Sequence, residues 1–218
     1  LAKRLAGERA WFWNSDAAIA LAKVRTLIGL PKETPKIIVR RGNQSQTDWA
    51  TVDEFVFEQP DGMPVPVLLF RPRNHGNRKL DVVIVADGRG MKQALESGTI
   101  QKLLIDKTAV FAVDLRGFGE TRDAGSIGKY QSHSHRTANV ATHIGRPLLG
   151  QRVGDLLSVV DFLKSIGDER VGQIRLIGSH AAAPVALHAV ALDERIQRVT
   201  LQHSPVKSWV DDVVAKPL

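Results

Sequence analysis

Along this chain the apolar residues first recur at helical spacing, then alternate, then run together, and each change of pattern predicts a change of element. From Glu8 to Leu30, the residues Trp11, Ala18, Leu21, Ala22, Val24, Leu27 and Ile28 repeat at helical period, and Gly29 followed by Pro31 supplies a stop. The next stretch, PKETPKIIVRRGNQSQTDWA, is polar and punctuated by proline, and it reads as a connector. Residues 51–59 then set Val52, Phe55 and Phe57 among polar neighbours, and MPVPVLLFRP follows the turn signal Pro60-Asp61-Gly62. The two segments predict an antiparallel strand pair.

Beyond them the apolar runs are continuous. DVVIVADG (81–88), TAVFAVDLRGFGE (108–120), QIRLIG (173–178) and QRVTLQHS (197–204) are short runs of the kind buried on both faces. Segments 92–104, 148–166 and 181–192 carry helical periodicity between them. In the second of these Leu148, Val153, Leu156, Leu157, Val160 and Leu163 form an apolar stripe, with Arg152, Asp155 and Lys164 expected on the solvent side. The order predicts an α/β fold, a mostly parallel sheet flanked by helices with an N-terminal helical extension. Residues 1–45 are expected to be extension and linker, and residues 46–218 the α/β domain.

Composition narrows the function. The chain of 218 residues has no cysteine, which excludes disulfides, thiolate metal sites and a cysteine nucleophile. No apolar run reaches the roughly 18 residues needed to span a bilayer. Net charge is +7, but residues 1–41 hold nine Lys/Arg against three Asp/Glu, so the other 177 residues net only +1. A basic leader on a nearly neutral body is a solvated helical surface rather than a nucleic-acid face, and no nucleic-acid or membrane partner is expected. Trp11, Trp13 and Trp49 fit anchors that dock a helix on the core, with a sugar-stacking platform as the alternative.

In open parallel sheets, ligands sit beyond the carboxyl ends of the strands, which points to loops starting at Asp87, Asp114, Gly178 and Gln202. The sharpest of these is RLIGSHAAAPVALHAV. A nucleophile elbow needs small residues two before and two after its apex, because strand and helix backbones approach there. Gly178 and Ala182 meet that demand around His180, so the steric rule of GxSxG is kept with imidazole at the apex. The plain alternative is a His180 that caps a helix or bonds a neighbouring loop. Ser179 is an alternative nucleophile, although such a turn would aim it elsewhere.

In VADGRGM the backbone N–H groups of Gly88, Arg89 and Gly90, together with that of Ala181, are candidates for an oxyanion site, the alternative being a tight turn that requires glycine. Neither GRG nor GFG continues into a dinucleotide fingerprint. In VDLRGFGETRDAG, Asp114, Arg116 and Glu120 are placed on one rim with Asp87 of the preceding loop, where Arg116 and Glu120 either orient a ligand or brace the loop. His133, His135 and His143 are expected in a long loop before the middle helix, without acidic partners at helical offsets, so no metal is assigned. His188 and His203 are expected to be structural or exposed.

Taken together, VDEFVFEQPDGMPVPVLLFRP, VDLRGFGET, GRPLLGQRVGDLLSVVDFL and IRLIGSHAAAPVALHAVALDERIQRVTL resemble the α/β-hydrolase superfamily, in its acetylxylan-esterase-like and dienelactone-hydrolase-like branch. The resemblance implies hydrolysis of carboxylic esters through a Ser, Asp/Glu, His triad, with no metal or organic cofactor, on a small ester or carbohydrate ligand. It also implies export to the periplasm or outside the cell. The serine position falls on His180, and the family's acid and histidine follow later strands than this chain contains. The expectation is therefore the N-terminal two thirds of the fold, partnered by the remaining C-terminal part, with weak or no serine-type hydrolysis. A chain starting at Leu1 is expected to be a fragment or processed product.

Overall fold

The computed structural model describes residues 16–73, 76, 79–105, 108–122, 133–166 and 170–206, with residues 4, 7, 8 and 10. Among these, strands β1 (Ile38–Gln46), β2 (Ala50–Glu58), β3 (Pro64–Pro72), β4 (Leu80–Asp87), β5 (Ala109–Val113), β6 (Val171–Ser179) and β7 (Ile196–Gln202) form one sheet in the order β1-β2-β3-β5-β4-β6-β7. The first three strands and β5 pair antiparallel in succession, while β5, β4, β6 and β7 are mutually parallel.

Helices cover both faces. The even residues of β4, Val82 and Ile84, face α5 (Leu148–Ile166) and α6 (Ala183–Leu192) across the larger core, with Phe57, Phe111, Leu156 and Val185. The odd residues, Val83 and Val85, face α2 (Met91–Glu96) and α3 (Thr99–Ile105) with Met91, Ala94, Ile100 and Leu104. Burial on both faces is why β4 reads as an unbroken apolar run. The predicted helix 92–104 is two helices, because Gly98 turns left-handed at φ +71° between α2 and α3. A further helix, α4 (His133–His143), stands where a long loop is expected.

The connector reading of residues 31–50 is also corrected, since β1 lies within it. Every residue of β1 is exposed, so no apolar alternation marks it. It is held by backbone pairing to β2 and by polar side chains, including an Arg40–Glu58 ion pair at 2.7 Å. A charged, bulged outer strand with a register shift between Arg41 and Gln44 is a common way to discourage edge-to-edge association.

The helical extension contributes α1 (Ala17–Leu27), capped by Asp16, whose carboxylate accepts from the Ala18 N–H at 2.8 Å. Its end is a Schellman motif at Gly29: the Gly29 N–H donates to Thr26 O and the Leu30 N–H to Arg25 O. Ile28 and Leu30 are buried against α5, whose Gly150 lies directly under the Ile28 carbonyl. A methyl group at Gly150 would overlap that carbonyl. Gly→Ala within a helix ordinarily gains about 1 kcal/mol of helix propensity. Gly150→Ala is expected to do the reverse, with a net loss of about 1–3 kcal/mol from overpacking, read as a lower thermal midpoint. A midpoint at or above that of the parent chain would disprove the docking of α1 on α5.

Candidate functional site

Three neighbouring parallel strands, β4, β6 and β7, end side by side and carry Asp87, Ser179-His180 and Gln202-His203 at their carboxyl ends. His180 is the first residue of a one-turn 3-10 segment, His180–Ala182, that leads β6 into α6. Its backbone is left-handed, φ +54°, as is that of His203 at φ +49°. Non-glycine residues held there cost about 1–3 kcal/mol each, and such strain gathers at functional sites.

The surroundings fix this turn. Gly178 lies against α6, where a Cβ would overlap the Ala186 methyl and stand 3.1 Å from the Ala182 carbonyl. Across the cleft, Gly88 approaches the Ala181 backbone so closely that a Cβ would sit 2.6 Å from the Ala181 nitrogen. The glycine-rich loop after β4 is thus required by close approach. It does not present its N–H groups as the sequence led us to expect. The Gly88 N–H donates to Ser179 O at 3.0 Å, the Gly90 N–H to Asp87 O at 2.9 Å, and the Arg89 N–H to Asp87 Oδ1 at 2.8 Å. All three are engaged, that of Gly88 by the end of β6 and the other two by Asp87, so Gly88, Arg89 and Gly90 give structural support to the loop in this conformation. Ala181 stays at the position expected for it, beside the apex.

The His180 side chain is 29% exposed. Its Nδ1 lies 3.3 Å from Asp87 Oδ1, at ion-pair distance but without hydrogen-bond alignment. The imidazole of His203 stacks on that of His180, with centroids 5.0 Å apart and ring planes at 27°. Ser179 points away from this space. It is 5% exposed, and its hydroxyl bonds Gln202 Oε1 at 3.2 Å. The strand ends therefore bring together two imidazoles and a carboxylate, groups able to take, hold and return a proton. His203 is exposed, one of the outcomes expected for it; its stacking on His180 was not foreseen, although its position directly after β7 matches that of His180 after β6.

Asp114, at the end of β5, is buried and holds two loops together. Its Oδ1 accepts from the Met91 N–H at 2.6 Å and its Oδ2 from the Glu120 N–H at 2.8 Å. Burial pushes its carboxyl up from the ordinary value, and the nearby Asp87 charge adds to this, against the pull of the two N–H donors.

Arg116 and Glu120 were read as either orienting a ligand or bracing the loop, and Arg116 does the second. Its guanidinium turns toward α5 and meets Asp155 through Nε and Nη2, at 2.9 and 2.7 Å, and Asp61 and Gln151 through Nη1, at 2.9 and 2.6 Å. Asp155 is fully buried, which corrects its expected solvent position. Arg116 braces the loop, and Glu120 is exposed with only its backbone N–H tied to Asp114. Arg152 packs over the Phe118 ring at 4.0 Å.

His188 bonds the Pro184 carbonyl through Nδ1 at 2.7 Å, a helical bracing contact, and His143 is exposed. The side chains of His133 and His135, together with Trp11 and Trp13, lie outside the described residues. Among the described residues, no three His, Asp or Glu side chains converge as a metal set. No helix among them is long and apolar enough to cross a membrane.

No protein-family model matches the sequence, and no curated protein does. Solved structures do match. A Bacteroides fragilis protein provisionally assigned as an acetyl xylan esterase superposes with a TM-score of 0.67 at 15% identity, over 82% of this chain and 50% of that one. The acetyl xylan esterase from Paenibacillus sp. R4 gives 0.57 at 18% identity, over 85% and 58%. A promiscuous CE15 esterase from a marine bacterial metagenome gives 0.58 at 12% identity, over 84% and 56%. The chain spans roughly half to three fifths of these proteins' length. At such identities the likeness establishes the fold, which is that of the α/β-hydrolase esterases.

Proposed function

We propose that this chain is an esterase-type α/β-hydrolase in which His180 occupies the place of the nucleophilic serine, so that ester hydrolysis through a serine acyl-enzyme is weak or absent. The observation that carries the reading is the left-handed His180 at the turn from β6 into α6, with Gly178 and Ala182 on either side. That is the backbone an exposed nucleophile requires, bearing a side chain that is a base. Ser179 does not substitute for it, since its hydroxyl is engaged by Gln202 beneath the turn. The resemblance in fold to acetyl xylan esterases supports small carboxylic esters or acetylated carbohydrates as the ligand class.

The expected result is that the chain hydrolyses p-nitrophenyl acetate no faster than its His180→Ala variant, and that a fluorophosphonate probe leaves it unlabelled. Stoichiometric labelling of one serine would overturn the reading.

A second reading is favoured by the 3.3 Å approach of Asp87 to His180. In it, the imidazole takes a proton from water, whose oxygen attacks the ester carbonyl; the adduct then breaks its C–O bond to the alcohol, which leaves with the proton returned by the imidazolium, and Asp87 balances the positive charge in between. Turnover lost in His180→Ala and kept in Ser179→Ala would select this reading over the first.

A further inference from the structure

At the opposite end of the sheet from His180, the structure contains a cavity of about 340 Å³ that the chemistry above does not use. It lies by the amino ends of β4 and β6, where Leu80, Val82 and Val171 begin their strands. Asp87 follows Val82 by five steps of extended strand, so the cavity is roughly 15 Å or more from the cleft. Its inner wall is apolar, made by Leu69, Phe111, Leu163 and Ile166. Arg41, Arg71 and Arg170 also line it.

Among the described residues of the lining, one carboxylate stands with three guanidiniums. Asp53, 1% exposed, receives Arg41 Nη2 at 2.7 Å, Arg71 Nε at 3.0 Å and Gln44 Nε2 at 2.6 Å. Arg41 and Arg71 thus share the one carboxylate, and Arg170 also lines the chamber. Each guanidinium has five N–H donors, so Arg41 and Arg71 keep donors beyond those that Asp53 accepts. An apolar chamber of several hundred cubic ångströms with a few convergent polar groups is the usual form of a small-molecule site. Guanidinium groups select carboxylates among anions that carry an apolar body, because the two planes pair through parallel hydrogen bonds.

We propose that this cavity binds an amphipathic monocarboxylate, its aliphatic tail against Leu163 and Phe111 and its carboxylate on Arg41 and Arg71. The site is separate from the His180 cleft and does not depend on the reading of that cleft.

Calorimetric titration of the chain with octanoate, 1-octanol and acetate tests it. Octanoate is expected to bind saturably at one site, with octanol and acetate each weaker by roughly tenfold or more, since each lacks one half of the recognition. Arg41→Gln leaves Asp53 paired to Arg71 and Gln44, so the fold is kept. It is expected to weaken octanoate about tenfold without changing octanol. Ile166→Trp fills the chamber and removes binding of both. His180→Ala leaves octanoate binding unchanged, which separates this site from the cleft. Equal affinity for octanoate and octanol, loss of binding in His180→Ala, or the absence of saturable heat would each overturn the proposal.

Discussion

Arg116→Met is expected to destabilise the protein by about 3–5 kcal/mol, measured as a fall in ΔG of unfolding in urea at neutral pH. The substitution keeps the apolar stem of the side chain but leaves the Asp155 carboxylate, which has no exposed surface, without its guanidinium. An unpaired buried carboxylate is far more costly than the ion pair it came from, because desolvation is no longer offset by Coulomb attraction and hydrogen bonds. Burial already pushes the Asp155 carboxyl upward, against the pull of Arg116, so the variant is expected to recover stability when acid neutralises Asp155. The double variant Arg116→Met/Asp155→Leu separates pairing from packing. It is expected to return most of the loss, since a hydrophobic replacement of a buried pair is often neutral. A double variant as unstable as the single one would mean that shape, not charge, holds the loop.

This network also marks the limit of what the sequence carried. The strands β4, β5 and β6 were legible because burial on both faces leaves an apolar run that few other structures produce, and α5 because its stripe keeps helical period through 19 residues. Asp155 was not legible. On a helical wheel it lies roughly 120° from the centre of the apolar stripe, at a polar position, and its partner lies 39 residues earlier, beyond a strand end. Strand β1 escaped for the opposite reason: an outer strand stabilised by backbone pairing and exposed charges has no hydrophobic signature at all. At the glycine-rich loop after β4, the reading as a tight turn that requires glycine holds, and at Gly88 the requirement is the close approach of the Ala181 backbone. The direction of the N–H groups was not legible, since it depends on where Asp87 and the Ser179 carbonyl lie in three dimensions. His180 could be placed from its small flanking residues alone, whereas His203 needed β7 to be set beside β6.

The second large effect is expected from Asp114→Ala, which is predicted to loosen both loops at the cleft and cost roughly 3 kcal/mol or more. The carboxylate accepts from the Met91 and Glu120 N–H groups, and hydrogen bonds to charged groups contribute about 1.5–3 kcal/mol each, with a further penalty when a buried N–H is left unsatisfied. No other side chain can slide in from the β5 side, because Gly90 and Gly119 are in contact there and a Cβ on Gly119 would overlap the carboxylate itself. Hydrogen exchange should therefore rise at both Met91 and Glu120, while amides of β4 remain protected. Asp114→Asn keeps the shape and one acceptor oxygen, and is expected to cost about half as much. The two variants also differ from the parent in pH dependence, with a definite sign. A carboxyl raised by burial is favoured protonated in the folded state, so Asp114 contributes stability at low pH that is lost as pH rises through its raised value. Asp61 acts in the other direction: although burial works upward, the Arg116 bond and charge hold its carboxyl below the ordinary value, and its contribution is lost as pH falls through that depressed value. In the parent chain Asp114 opposes the acid loss due to Asp61. With Asn at position 114 the opposition is gone, and stability measured from pH 7 down to about pH 3 should fall more steeply than in the parent. An unchanged acid limb, together with unchanged exchange at Met91 and Glu120, would show that the two loops are held by their glycine contacts and not by the carboxylate.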